Sequence, residues 1–233
     1  MTESPIIIAL DLESADEARA LVNELGSAAG FYKVGMELFA AAGMDFVYEL
    51  KALGKHVFLD MKYYDIGETV RRAVAQVAKA GADFLTVHAS GAVMRAAIEG
   101  RGDSELKILA VTVLTSFGDD DVLELGYNYS VTELVRHLAA VAVKCRVDGM
   151  ITSPLEVRTV RTIAGPDRIL VTPGVRSAGA AKGDQKRVAT PAEALANGAD
   201  YLVIGRQVTR AADPAAALAD ILRECATCTY SGR

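Results

Sequence analysis

Cysteine is scarce, with three residues in a chain of 233, too few for a disulfide framework. Cys145 falls in an apolar helical pattern and reads as a core thiol. Cys225 and Cys228 form a single C-x-x-C with no second pair to complete a zinc site, so neither a metal nor a redox role is expected there. Proline is sparse too, 6 residues against 20 glycines, and the chain is 51% hydrophobic and 24% charged. That balance excludes a disordered or fibrous chain and fits a large packed core. No apolar run approaches the ~18 residues needed to span a bilayer, and the N-terminal "MTESPIIIALD" lacks a basic leader region. A cytoplasmic protein without membrane contact is expected. Basic excess is also missing: the net charge of -5 opposes a role dominated by phosphate-backbone binding, so nucleic acid is not an expected partner. A small basic pocket for one phosphorylated ligand stays compatible with it.

What the chain has instead is repetition of element type. Short β-branched runs occur at Ile6–Asp11, Phe31–Gly35, His56–Lys62, Asp83–His88, Lys107–Leu114, Gly149–Thr152, Arg168–Pro173 and Tyr201–Arg206. Between them lie stretches such as "SADEARALVNELG", "TVRRAVAQVAKAGA" and "TPAEALANGA", with apolar residues three and four apart. No Pro/Ser-rich linker or charge block interrupts the pattern, so residues 1–223 read as one domain. The tail "ECATCTYSGR" at 224–233 has no assigned role.

Strands alternating with helices admit a closed (β/α)8 barrel or an open doubly wound sheet. The length is close to the ~250 residues typical of a TIM barrel. No G-x-G-x-x-G follows the first run, which disfavours a dinucleotide-binding sheet. Polar residues collect where the runs end, at Asp11, Lys33, Asp60, Lys62, His88, Thr115, Arg176 and Arg206. Barrel enzymes build their sites at that rim. The expected fold is therefore an α/β single-domain TIM barrel.

"FLDMKYYDI" is the most informative segment, an apolar run closing in D-x-K-x-x-D. In a regular strand Asp60 and Lys62 share one face, and Asp65 falls where the chain turns into a helix. A strand-end salt bridge and a helix-start acid would account for these three residues alone. Lys33 and Asp11, closing neighbouring runs, extend them into alternating charges at one rim. Carboxylates flanking Lys62 favour its charged form, and such a lysine can stabilise a developing anion and then deliver a proton. Carbanion chemistry is the reading. At the other end Gly205 and Arg206 follow the eighth run, where barrels often bind phosphate; a Gly turn with a solvated Arg is the alternative. The long glycine-rich stretch from Pro173 offers Arg176 and Gln185 as ligand-facing residues.

These motifs together resemble the orotidine 5'-phosphate decarboxylase family over nearly the whole chain. The matching segments are "ALD" at Asp11, "KVG" at Lys33, "FLDMKYYDIGET", "VHAS" at His88, "VTVLTS" at Thr115, "VTPGVR" to Arg176, "GDQ" at Gln185 and "VIGR" to Arg206. The resemblance implies decarboxylation of orotidine 5'-monophosphate to uridine 5'-monophosphate, without cofactor or metal. It implies that Lys62 protonates C6 of the pyrimidine beside Asp60, with Lys33 completing the charge array and, with Asp11, contacting the ribose. It implies a homodimer in which Asp65, Ile66 and Thr69 reach the neighbouring subunit's ligand. Thr115 would contact the base, Pro173 would line the pocket, Gln185 would bridge base and phosphate, and Arg176, Gly205 and Arg206 would hold the phosphate. Where many members read D-I-P-N-T, this chain has Asp65-Ile66-Gly67-Glu68-Thr69. Gly67 relaxes the turn and Glu68 adds an acid at a helix start, where it is tolerated. His88 has no evident chemical duty and reads as packing or support, and His56 and His137 as structural.

Overall fold

The computed structural model describes residues 4–177 and 189–226. Eight parallel strands among them close into a barrel in sequence order, the first pairing with the last. They are β1 (Ile6–Ala9), β2 (Phe31–Gly35), β3 (His56–Tyr63), β4 (Phe84–His88), β5 (Lys107–Val111), β6 (Gly149–Ile151), β7 (Ile169–Thr172) and β8 (Tyr201–Ile204). The outer layer carries α1 (Ala15–Leu25), α2 (Met36–Ala52), α3 (Gly67–Lys79), α4 (Gly91–Arg101) and α5 (Asp119–Glu124). It continues with α6 (Val131–Cys145), α7 (Val157–Ala164), α8 (Pro191–Ala196), α9 (Arg206–Thr209) and α10 (Pro214–Ala226). No helix among the described residues is long and apolar enough to cross a membrane. The TIM barrel expected from the alternation is the fold observed.

The sequence signals act locally as expected. Ser14 and Thr190 cap α1 and α8 by accepting from the Glu17 and Glu193 backbone N–H groups. Both satisfy donors that have no partner inside the helix. Strand limits are tighter than the apolar runs. β1 stops at Ala9, β5 at Val111 and β8 at Ile204. Asp11 and Thr115 therefore sit in loops beyond their strands, and Arg206 opens α9 rather than ending β8. Ladder pairing stops where the chain must bend outward into the next helix, which hydrophobicity does not record.

Side-chain alternation divides the core in two. Ile7, Ala9, Phe31, Phe58, Phe84, Leu109, Val171 and Val203 point into the barrel and fill its lower part. Phe84 meets Phe31 and Tyr201 edge-on, with centroids 5.0 and 5.4 Å apart. Burying each such ring contributes roughly 1.5–3 kcal/mol. The opposite face of every strand packs on the helices, and Cys225 of α10 joins that layer. Cys145, at the end of α6, is only partly buried, but it packs against that layer at the edge of the core, beside Val141 and Val143. Cys228 lies outside the described residues. Helix α4 approaches α3 so closely that a Cβ on Gly100 would overlap the Arg71 carbonyl. This contact fixes α3, whose N-terminal end borders the charged rim.

Candidate active site

Because aromatic rings plug the lower barrel, inward-facing positions one layer higher form the floor of the rim. Lys33, Asp60 and Thr86 occupy them, and His88 stands a further layer up on β4. Lys33 is 7% exposed, so its charge requires partners. It has two: Asp11 Oδ1 accepts from Nζ at 2.8 Å, and Asp60 Oδ2 stands at 3.6 Å. Asp11 keeps this place although it lies beyond β1, because the Leu10 N–H donates to the Lys33 carbonyl and ties the segment to β2. Asp60 Oδ1 in turn accepts from Lys62 Nζ at 2.9 Å. The result is an alternating line of Asp11, Lys33, Asp60 and Lys62.

Burial pushes the Asp60 carboxyl up, but Lys33, Lys62 and hydrogen bonds from Lys62 and Thr86 outweigh it and hold it below the usual carboxylate range. His88 is half-buried, with its ring 5.3 Å from Tyr64. Burial, and then the charge of Lys62, lower its pKa. That is a packing environment, in keeping with the supporting role expected of it. His56 holds Asp83 at the opposite end of β3, and His137 stacks on Tyr129.

The strand carrying Asp60 and Lys62 is not regular. Leu59 pairs with Leu85 and Tyr63 with Val87, so Asp60, Met61 and Lys62 stand opposite the single residue Thr86. Lys62 has φ 49°, a left-handed conformation unusual for a residue with a side chain. The two residues meet across this bulge rather than by simple two-residue alternation, which corrects the expectation of a shared strand face.

Two neighbours of the array were missed in the sequence. Thr86, fully buried in "FLTVH", donates to Asp60 Oδ1 at 2.8 Å. Gly35 pairs with Asp60 across the ladder, and a Cβ there would lie 2.9 Å from both Asp11 Oδ1 and Lys33 Nζ. The only hint was a glycine closing an otherwise apolar strand.

The remaining expected residues lie on the loops and helix starts that follow the strands. Asp65 is exposed, and its Oδ1 accepts from the Ile66 N–H at 2.6 Å. Ile66 is the N-cap of α3 and Thr69 lies exposed in its first turn. Thr115 is half-buried in the β5–α5 loop, and Pro173 half-buried just past β7. The Arg176 N–H bonds the Ala189 carbonyl at 3.0 Å, and its guanidinium donates to the Val175 carbonyl at 2.7 Å. Gly205 caps α9 and Arg206 opens it, exposed, just after β8, the strand next to β7. Gln185 lies outside the described residues.

The family model described as "Orotidine 5'-phosphate decarboxylase / HUMPS family" matches residues 4–221. The chain belongs to this family. It is 51% identical to the orotidine 5'-phosphate decarboxylase of Rhodopseudomonas palustris strain BisB5, over 96% of this chain and 95% of that protein. It is 52% identical to the enzyme of the same name from Caulobacter sp. strain K31, over 95% and 96%. The crystal structure of orotidine 5'-phosphate decarboxylase from Lactobacillus acidophilus superposes with TM-score 0.83 at 38% identity, covering 96% of this chain and 99% of that one. Against the family pattern, the substituted turn at Gly67-Glu68 is neatly accommodated. Glu68 accepts from Arg71 at 2.9 Å and from Arg72 at 2.6 Å, and these bonds hold its carboxyl down to about 2.

Proposed function

We propose that this chain decarboxylates orotidine 5'-monophosphate to uridine 5'-monophosphate and carbon dioxide, the last step of de novo UMP synthesis, without a cofactor. The observation that carries the reading is the alternating Asp11–Lys33–Asp60–Lys62 line on a plugged barrel floor. Breaking the bond between C6 and the carboxylate carbon leaves an electron pair on C6. The Lys62 ammonium stabilises that pair and its proton passes to C6 as carbon dioxide leaves; the neutral lysine then regains a proton from solvent. The array is already paired before substrate arrives, so little reorganisation accompanies the chemistry. Asp60 faces the departing carboxylate and anchors both ammonium groups.

Lys33 and Asp11 contact the ribose, Thr115 contacts the base, and Pro173 lines the pocket. Gln185 bridges base and phosphate, and Arg176, Gly205 and Arg206 hold the phosphate, whose remote binding energy is used to order the site. Asp65, Ile66 and Thr69 act in the pocket of a second copy. Support for this dimer comes from Asp65 standing outside its own array, and from apolar surface at the same rim: Tyr64 and Ile66 are 70% and 73% exposed. A cytoplasmic homodimer with no nucleic-acid partner completes the reading.

Loss of orotidylate ultraviolet absorbance, followed in EDTA, tests it. Turnover that survives chelation is the expected result. Binding without turnover would make the chain a nucleotide-binding protein, and magnesium-dependent activity on a keto-sugar phosphate would replace the substrate.

A further inference from the structure

We infer that Thr86 is a positioning residue, whose hydroxyl locks the bulge of β3 and thereby sets the Lys62 ammonium against the Asp60 carboxylate. This rests on the reading of Lys62 as the proton donor. A threonine hydroxyl has one hydrogen and two lone pairs. Here Oγ1 accepts from the Lys62 backbone N–H at 3.0 Å, so its own hydrogen is left to point at Asp60 Oδ1, 2.8 Å away. One hydroxyl on β4 thus bonds both residues of the pair, the first through its carboxylate and the second through its main chain.

The bulge explains why such a group is needed. With three residues opposite one, Lys62 leaves the regular ladder, and its left-handed backbone is not one its own sequence favours. Strain of this kind persists only where the surroundings enforce it. Thr86 is 0% exposed and β-branched, hence stiff about χ1. Asp60 Oδ1 receives both the Thr86 hydroxyl and Lys62 Nζ, which leaves Oδ2 turned to Lys33. Replacing the hydroxyl by a methyl would strip a hydrogen bond from the Lys62 N–H and another from Asp60 without opening a cavity.

The experiment compares Thr86→Val and Thr86→Ser with wild type and Lys62→Ala, measuring kcat, KM for orotidine 5'-monophosphate, melting temperature and the pH profile of kcat. Thr86→Val is expected to lower kcat at least ~10-fold, since misplacement by about 1 Å can cost ~100-fold, with KM changed less than about 3-fold. Its acidic limb should move to higher pH, because Asp60 loses a bond to its charged form. Thr86→Ser should restore kcat to within about 3-fold of wild type. If Thr86→Val does not fold, Thr86→Ala against Thr86→Ser carries the same contrast. Wild-type kcat in a folded variant lacking the hydroxyl, or no rescue by serine, overturns the inference while an inactive Lys62→Ala leaves the proton-donor reading intact. Turnover by Lys62→Ala would instead remove the reading beneath it.

Discussion

Lys33 Nζ is held between two carboxylates, 2.8 Å from Asp11 Oδ1 and 3.6 Å from Asp60 Oδ2, with Gly35 packed against the nearer pair. The closer partner, Asp11, is half exposed while Lys33 is buried. The ion pair therefore links a solvent-facing loop to the barrel floor, and its geometry depends on a position with no side chain.

Gly35→Ala follows directly. The added methyl meets the ends of two flexible side chains rather than backbone, so they can swing aside and the fold is retained. The melting temperature should change by only a few degrees, whereas kcat/KM should fall roughly 10- to 100-fold as Lys33 leaves its place. Unchanged kinetics would show that the Asp11–Lys33 contact has no catalytic weight.

Lys62→Ala should abolish measurable turnover, a loss of at least ~10³-fold, because proton delivery and charge stabilisation disappear together. Calorimetric titration with uridine 5'-monophosphate should still detect binding through the phosphate residues. A near-normal kcat would take Lys62 out of the proton-donor role.

Asp60 makes the stability of the fold depend on acid pH. Its carboxyl is held below the ordinary value, so its contribution to stability is fully present above the unfolded pKa of about 3.9 and is lost as pH falls through the lower folded value. Urea midpoints measured from pH 5 to pH 3 should decline in the wild type. Asp60→Asn, which cannot titrate there, should flatten that decline. Parallel slopes in the two proteins would assign the acid sensitivity to other carboxylates.

Asp65 yields a test of the shared site. Asp65→Asn and Lys62→Ala, each inactive alone, should regain activity when mixed and allowed to exchange subunits, since one hybrid pocket then carries both native groups. At random exchange half the dimers are hybrid and each has one such pocket of two, so about a quarter of wild-type activity is the ceiling. No recovery after exchange is verified by mass spectrometry would place Asp65 in its own subunit's chemistry or in none.

The alternation of β-branched runs with three- and four-residue apolar periods marked out the strands and helices, because both periods report burial on a local scale, and their number, the chain length and the polar run ends favoured a barrel over an open sheet. The residue types closing those runs also marked the charged rim, since charge at the end of a core strand needs a reason. Other features were beyond such reading. Asp11 and Lys33 are 22 positions apart and Asp60 and Thr86 26, so their meeting depends on the register of neighbouring strands, which no local pattern encodes. The bulge opposite Thr86 arises only when β3 and β4 are paired, and it alone turns an ordinary threonine into a ligand of both Asp60 and Lys62. Gly35 is a similar case, visible in the sequence as a weak strand residue and explained only by the ion pair packed against it. Local periodicity specified which residues face the core; closure of the barrel and strand register decided which polar groups meet there, because hydrogen bonds and ion pairs depend on separations of a few tenths of an ångström that only the assembled sheet sets.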